Sequence, residues 1–378
     1  MNPTPAFDPR RRDLLLAPLV TLALAACGGG GDSGTGGGTT TATGGYVATS
    51  LVSDVSTSSN PYATSNADPN LVNAWGVAFN PAGFVWVANA GTSTSTLYDG
   101  NGARQSLVVA IPAGTAGAAS PTGIVFNAST TSFAVSQGGS SGASPFVFVG
   151  EAGTVAGWSP GVNLNAAITV YDGAASGVVF KGAALASSAG ALFLYATDFH
   201  NGTVRVFDAT FAPVTVAGGF TDATLPAGYA PFGIQAIGAQ LYVSYAKQDA
   251  AAHDDVPGAG LGLINVFDAT GHFVKRFVDV GGALNAPWGM ALAPANFGTF
   301  SGALLVGNFG DGRINAFDAT TGAMRGTLSA PAGAPLAING LWGIAFGNGI
   351  NSQPTNTLFY AGGPANETHG VYGRIDAH

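Results

Sequence analysis

The sequence has little charge and no basic excess. Only 8% of its 378 residues are charged, and 12 Lys and Arg stand against 20 Asp and Glu, which gives a formal net charge of −8. Proteins that bind nucleic acid present a basic surface to the phosphate backbone. This composition therefore excludes nucleic acid as the expected partner.

Cysteine and long hydrophobic runs are also scarce. The single cysteine is Cys27, so no disulfide can form within the chain. After it, no stretch approaches the roughly 20 apolar residues of a transmembrane helix. The core of the folded domain must therefore supply its stability.

The N-terminus has the pattern of a targeting segment. Three arginines at 10–12 precede an uncharged apolar stretch, 14–26, which is too short to span a bilayer. Residues 1–26 therefore predict a signal peptide, and Leu24-Ala25-Ala26-Cys27 resembles the bacterial lipobox, in which the cysteine is acylated. We expect an exported bacterial lipoprotein, periplasmic or on the outer membrane or cell surface, held by its lipid alone. An ordinary signal peptide with a chance cysteine is the alternative, and Sec and twin-arginine export both fit.

Residues 28–45 and the rest of the chain differ sharply in composition. The segment 28–45 contains ten glycines and almost nothing that could be buried, which predicts a flexible tether. From Tyr46 onward the chain is rich in turn formers and in β-branched and aromatic residues. This composition predicts an all-β domain over 46–378.

A strand motif centred on a glycine recurs six times. The glycines are spaced 47 to 59 residues apart, and a period near fifty with four short strands predicts the blades of a propeller. The residues around them are Trp75-Gly76-Val77, Thr122-Gly123-Ile124, Lys181-Gly182-Ala183, Phe232-Gly233-Ile234, Trp288-Gly289-Met290 and Trp342-Gly343-Ile344. We interpret the three tryptophans as packing residues.

A second motif, a turn followed by an alternating strand, also occurs six times in the same register. Asn201-Gly202 and Asp311-Gly312 predict two-residue type I′ hairpins between the second and third strands of their blades. In this register the last blade has only three strands, and residues 46–52 can supply the fourth. The predicted fold is a six-bladed β-propeller of four-stranded antiparallel blades, with the ring closed by the N-terminal strand.

Within residues 242–318 the sequence resembles an uncharacterised bacterial family of exported six-bladed propeller proteins, distantly similar to NHL-repeat propellers. The segments that carry the likeness are YVSYAKQDAAAHDDVPGAGLG, LNAPWGMALAPANFG and SGALLVGNFGDGRINAFDATTG. The likeness extends over the whole domain. It implies the propeller fold, and it offers no substrate and no catalytic residues.

Candidate site residues come from loops that a propeller brings to one mouth of its axial channel. A polar residue ends the second strand of three blades, at Asn89, Asp198 and Asn308, and Glu151 is a displaced equivalent. His200 follows Asp198, and a long loop carries the densest charge of the domain, with Lys247, Asp249, His253, Asp254 and Asp255.

These groups suit a hard cation such as Ca²⁺ or another divalent ion, with Asp198, Glu151 and Asn308 as ligands, or a hydroxyl-rich ligand. The alternatives are that the Asn and Asp residues at the strand ends only form turns, and that the charged loop is only a solvated loop tip.

Two functions remain open. One is a monomeric binding or interaction module for a carbohydrate, peptide or protein, because the chain lacks an H-E-x-x-H motif. The other is a metal-dependent lactonase or esterase-type hydrolase that uses the channel mouth.

Overall fold

A computed structural model describes residues 44–56 and 61–378. The predicted signal peptide, Cys27 and most of the predicted tether lie outside the described residues. No helix in the described ranges is long and apolar enough to cross a membrane. The short helices found there are 3₁₀ turns at Ala90–Thr92, Ala174–Ser176 and Gly298–Phe300.

The described chain begins with strands β1 (Tyr46–Ser53) and β2 (Asn66–Ala67), and three antiparallel blades follow. Blade 1 comprises β3 (Ala74–Phe79), β4 (Val85–Asn89), β5 (Thr94–Tyr98) and β6 (Arg104–Ala110). Blade 2 begins with β7 (Pro121–Phe126), is interrupted by a separate hairpin of β8 (Ala134–Gln137) and β9 (Ser140–Ala143), and continues with β10 (Phe146–Gly150), β11 (Thr154–Trp158) and β12 (Ile168–Asp172). Blade 3 comprises β13 (Phe180–Ser188), β14 (Ala191–Asp198), β15 (Thr203–Phe207) and β16 (Pro213–Val214).

The remaining strands form blades 4 to 6. Blade 4 comprises β17 (Tyr229–Ile237), β18 (Gln240–Lys247), β19 (Leu263–Asp268) and β20 (Phe273–Val278). Blade 5 comprises β21 (Pro287–Leu292), β22 (Ala303–Asn308), β23 (Ile314–Asp318) and β24 (Met324–Thr327). Blade 6 comprises β25 (Leu341–Phe346), β26 (Leu358–Gly362) and β27 (Val371–Ala377), with β1 and β2 at its outer edge. The described residues thus confirm the predicted six-bladed propeller.

The N-terminal strand closes the ring as predicted. Strand β1 pairs antiparallel with β27, so that Tyr46 lies opposite Ala377 and Ser53 lies opposite Val371. The short strand β2 adds a parallel partner to β1, which the sequence did not indicate. The first and last strands of the domain therefore share one blade.

Buried apolar side chains pack between neighbouring blades. At the seam between blades 1 and 6, Val85 and Val87 are buried beside Phe359, and the rings of Tyr98 and Tyr372 stack at 5.2 Å. Alternate residues of each strand face one neighbouring blade or the other, as the two-residue period of a strand requires. The core is therefore distributed around the ring.

The repeated glycines allow the inner strands to pack closely around the axis. A Cβ atom on each of them would lie within 3.0 Å of the first strand of the next blade, all around the ring. At Gly343 it would lie 2.5 Å from the Trp75 carbonyl oxygen and 3.0 Å from the Val77 nitrogen. Glycine is required here because of this close approach. The six positions are Gly76, Gly123, Gly182, Gly233, Gly289 and Gly343.

We expect Gly343→Ala to lower the free energy of unfolding by about 1–3 kcal/mol, because blades 6 and 1 must separate to admit the methyl group. Denaturant melts of the purified variant would measure the loss. The matched control is Gly161→Ala, where a Cβ would meet nothing within 4 Å. Equal stability of the two variants would contradict this role for the glycine.

The predicted type I′ hairpins are wrong. In these two turns positive φ is confined to Gly202 (66°) and Gly312 (68°), whereas a type I′ turn needs it at both central residues. The first turn is a four-residue loop, 199–202, in which the Gly202 amide donates to the Phe199 carbonyl at 3.3 Å. The Asp198 carboxylate accepts the Asn201 amide and holds this longer loop in place.

Candidate functional site

The connections between blades and the loops between second and third strands lie at the same end of the propeller, here called the upper face. Its centre contains Lys181, at the start of β13, with its side chain only 1% exposed. The Lys181 ammonium is hydrogen bonded to Glu151 Oε1, from the β10–β11 loop, and lies 3.3 Å from Asp254 Oδ1, from the long β18–β19 loop. Three blades thus contribute one ion-pair group.

His253 completes this group, which we call the Lys181 cluster: Lys181, Glu151, His253 and Asp254. The Nδ1 atom of His253 lies 3.2 Å from Asp254 Oδ1. The side chains of His253 and Asp254 are 41% and 42% exposed, whereas that of Glu151 is 19% exposed. The cluster therefore has a buried cation beneath carboxylates that solvent and a ligand can reach.

Aromatic side chains fill the channel beside the cluster. Trp342 stacks on Trp75 at 3.7 Å and on Phe309 at 4.0 Å, and Trp288 meets both tryptophans edge-on. The Trp288 indole donates a hydrogen bond to the Lys181 carbonyl at 2.9 Å. The tryptophans are packing residues as predicted, although they pack on one another at the mouth of the channel.

Lys181 also lies close to these rings, and we call Trp75, Trp288, Trp342, Phe309 and Phe199 the aromatic plug. The Lys181 ammonium lies 5.3 Å from the ring centre of Trp75 and 5.9 Å from that of Phe199. A cation over aromatic faces is attracted by the ring quadrupole. The aromatic rings of Trp75 and Phe199 and the carboxylates of Glu151 and Asp254 therefore all stabilise the buried Lys181 charge.

The pKa shifts follow from this arrangement. Burial alone would lower the pKa of Lys181, but the charges of Glu151 and Asp254 outweigh burial and raise it. Burial would raise the pKa of Asp254, yet the His253 hydrogen bond and the Lys181 charge hold it well below its ordinary value. The raised pKa favours the ammonium form of Lys181, and an ammonium has no lone pair with which to act as a nucleophile or general base.

His253 gives the site a pH dependence. Its hydrogen bond to Asp254 raises the pKa of the imidazole, against the opposing effects of burial and Lys181. A raised folded-state pKa means that protonation stabilises the fold below about pH 6.5 and that this contribution is lost as pH rises through the folded-state pKa. Because the side chain is partly exposed, we expect about 1 kcal/mol or less.

Melting curves of the wild type and His253→Gln between pH 5 and 9 test this prediction. The wild type should be the more stable protein at pH 5 to 6, and the difference should shrink towards pH 9. A difference that grows with pH would contradict the predicted sign.

The predicted site residues Asp198 and His200 lie in different environments. Asp198 is completely buried and accepts hydrogen bonds from Arg205 Nε at 2.7 Å and from Asn201 Nδ2 at 2.9 Å. The amides of Val179 and Asn201 also donate to it. His200 is exposed in the following loop. Asp198 therefore organises its hairpin.

Asn89 and Asn308 each end the second strand of their blade, at β4 and β22, and both are buried. The Asn89 amide donates to the hydroxyls of Thr94 and Thr96, and the Asn308 amide donates to the Ala283 carbonyl. Both side chains are completely buried. These contacts favour the structural interpretation of both residues.

The long loop of blade 4 brings its charged residues to the upper face. Lys247 ends β18 and is exposed, while Asp249 accepts the backbone amides of His253 and Asp254 and so shapes the loop. The charge of Asp255 adds to those that raise the Lys181 pKa. Of the five residues predicted here, His253 and Asp254 join the Lys181 cluster.

The ligand set that was predicted for a metal does not coincide with the group that the structure brings together. Among the described His, Cys, Asp and Glu residues, the group close enough to share an ion is Glu151, His253 and Asp254, whose ligand atoms lie within 4.8 Å of one another. Glu151 belongs to both sets. The Lys181 ammonium already bridges the two carboxylates of this group.

Lys181 is the site residue that sequence reasoning missed. It occupies the position before the repeated glycine, where other blades have Trp75, Trp288, Trp342, Phe232 or Thr122. A lysine at a position that is otherwise apolar or aromatic was the available signal, because a lysine is rarely buried unless it is paired.

Comparison with known proteins gives relatives of unestablished function. The chain is 37% identical over 299 residues to the uncharacterized protein R648 of Acanthamoeba polyphaga mimivirus, covering 77% of this chain and 72% of the relative. It is 35% identical over 309 residues to the uncharacterized protein L690 of the same virus, covering 79% of each. These relatives are viral, whereas the resemblance noted in the sequence was to bacterial proteins.

No protein-family model matches the chain. Among solved structures, a gluconolactonase from Xanthomonas campestris aligns over 82% of this chain and 87% of its own, with 13% identity and a TM-score of 0.49. A likeness of this size carries no inference about activity. By its sequence, the chain belongs to the same family as these two uncharacterised mimivirus proteins.

Proposed function

We propose that the protein is a binding module whose ligand donates hydrogen bonds to the carboxylates of the Lys181 cluster. The observation that carries this proposal is the position of Lys181, which bridges Glu151 and Asp254. The buried Lys181 ammonium holds the two carboxylate acceptors in place through its contacts with them. Preorganised acceptors of this kind favour binding.

The charge of the site defines the ligand class. The carboxylates of Glu151, Asp254 and Asp255 outnumber the single ammonium, so the exposed surface of the cluster attracts donors and repels anions. Neutral hydroxyl groups of a saccharide and the ammonium or guanidinium groups of a basic peptide share this donor chemistry. A phosphate or carboxylate ligand is disfavoured.

Binding assays with two sets of ligands distinguish a saccharide from a basic peptide. Neutral oligosaccharides and lysine- or arginine-rich peptides would be titrated against the full-length protein by calorimetry. Glu151→Gln replaces a charged acceptor and should weaken binding about 10- to 100-fold, since a hydrogen bond to a charged group contributes about 1.5–3 kcal/mol.

The matched control is Asp311→Asn, an exposed upper-face carboxylate in blade 5 that accepts the Arg313 amide. It should leave the affinity unchanged. Binding that is lost in this control and kept in Glu151→Gln, or the absence of binding to both sets of ligands, would contradict the proposal.

A metal-dependent lactonase or esterase is the second candidate. The close grouping of Glu151, His253 and Asp254 favours it, because carboxylate and imidazole groups are ligands for divalent cations. A cation would have to displace the Lys181 ammonium, which makes this function the weaker candidate. Metal-stimulated hydrolysis of lactones that Asp254→Asn abolishes would establish it.

We also propose that the protein is exported, that a lipid on Cys27 anchors it to a membrane, and that it acts as a monomer. The support is the basic, apolar and Leu24-Ala25-Ala26-Cys27 sequence of the N-terminus. In a Gram-negative host, the wild type should fractionate with membranes and Cys27→Ser should be released. Equal membrane retention of the two proteins would contradict the anchor.

A further inference from the structure

A cavity lies in the channel, on the side of the aromatic plug that is opposite the Lys181 cluster. Its volume is about 470 Å³, which is within the range of ligand pockets. The first strands of the six blades form its wall. The side chains that line it are apolar except for Gln235, and none is charged. Its chemistry is therefore distinct from that of the upper face.

The lower wall of the cavity is preformed by packed rings. Phe79 packs edge-on against Phe359, Phe126 against Phe146, and Phe346 against Phe297. These contacts fix three of the side chains that line it. An apolar ligand would therefore meet a wall that needs little reorganisation.

Two features indicate an occupant. Leu292 lines the cavity although it is 46% exposed, so its apolar surface is available for burial. Gln235 is exposed at a position where the other blades have Ala or Val, and the contact of its Nε2 atom within the described ranges is a long one, 3.4 Å to the Ala236 carbonyl. Apolar lining side chains combined with a few polar groups, here Gln235 and the backbone of the inner strands, are typical of a small-molecule site.

We infer that this lower cavity binds an uncharged, mainly apolar small molecule that carries a hydrogen-bonding group for Gln235. A charged ligand is excluded because the lining side chains offer it no counterion, and desolvating an unpaired charge is costly. The site is separate from the proposed upper one. Its ligand enters from the lower face.

A pair of fluorescent probes tests this inference on the full-length protein. N-phenyl-1-naphthylamine is neutral, and 1-anilinonaphthalene-8-sulfonate has the same ring system with an added negative charge. We expect the neutral probe to bind saturably at one site per chain and the sulfonate to bind at least tenfold more weakly. Unsaturable binding, or equal affinity for both probes, would overturn the inference.

Two variants place the neutral probe in the cavity. Ala345→Trp places a large ring in the cavity and should lower the affinity for the neutral probe at least tenfold. Ala323→Trp, on the exposed surface of blade 5, should leave that affinity unchanged. If Ala345→Trp fails to fold, Leu292→Glu puts a charge in the exposed part of the wall and should have the same effect. Unchanged affinity in a folded variant with a substituted wall would overturn the assignment.

Discussion

A chain that begins at Asp54 should show no cooperative melting transition and should elute as an aggregate. It lacks strand β1, whose Tyr46 and Val52 are 2% and 1% exposed in the intact domain. Its loss would leave β27 with an unpaired edge, which is a template for aggregation. Circular dichroism melts and size-exclusion chromatography would measure both effects.

A chain that begins at Gly44 is the matched control, and it should melt like the full-length protein. A synthetic peptide of residues 44–54 should restore the transition of the shortened chain by adding the missing strand. The point variant Tyr46→Ala removes a buried ring and its hydrogen bonds to Phe297 and Phe300. It should cost about 3–5 kcal/mol. Cooperative melting of the shortened chain at the full-length temperature would contradict closure by β1.

The second large effect should come from Lys181→Met, which removes the buried cation and leaves Glu151 and Asp254 beside each other. Breaking a buried ion pair on one side costs about 3–5 kcal/mol. Because the Asp254 side chain is 42% exposed, we expect the lower end of this range. Urea unfolding of the wild type and the variant would measure the loss.

The double variant of Lys181→Met with Glu151→Gln separates lost charge from lost packing. It removes one of the two unpaired carboxylates and should recover at least about 1 kcal/mol. Lys181→Arg keeps the charge and should be more stable than Lys181→Met. Wild-type stability in Lys181→Met would show that the cluster does not depend on the cation.

The sequence predicted the architecture well because every blade repeats the same physical requirement. The close approach of the inner strands demands glycine at each repeat, so the glycine spacing gives the blade count. The three-stranded last repeat requires a fourth strand, and 46–52 is the apolar, alternating segment available. The inserted hairpin of β8 and β9 has no counterpart in the other blades, so the repeat could not reveal it.

The candidate site was only partly predictable. The long loop of blade 4 was identified because its charge density is unusual for this chain, and it does bring His253 and Asp254 to the upper face. Lys181 meets its partners Glu151 and Asp254 across 30 and 73 residues, from different blades. The strand register within each blade does not say which loops of neighbouring blades come into contact.

Asp198 was predicted as a candidate ligand at the channel mouth, and it has a charged partner within its own hairpin. Arg205 lies seven residues later on the paired strand and donates a hydrogen bond to it. The hairpin register between Asp198 and Thr203 places that arginine close by. A charge partner within one hairpin favours a structural role.

The most direct test of the central claim is the effect of metals on stability, because the claim is that the Lys181 ammonium occupies the Glu151 and Asp254 pair. The full-length wild type would be melted with Ca²⁺, Mn²⁺, Zn²⁺ or a chelator, alongside Lys181→Met. An ion at a hundred times its Kd adds about 2.7 kcal/mol to a protein that binds it only when folded. We predict no change in the wild-type melting temperature and a rise in Lys181→Met. A rise of several degrees in the wild type, reversed by the chelator, would contradict the account.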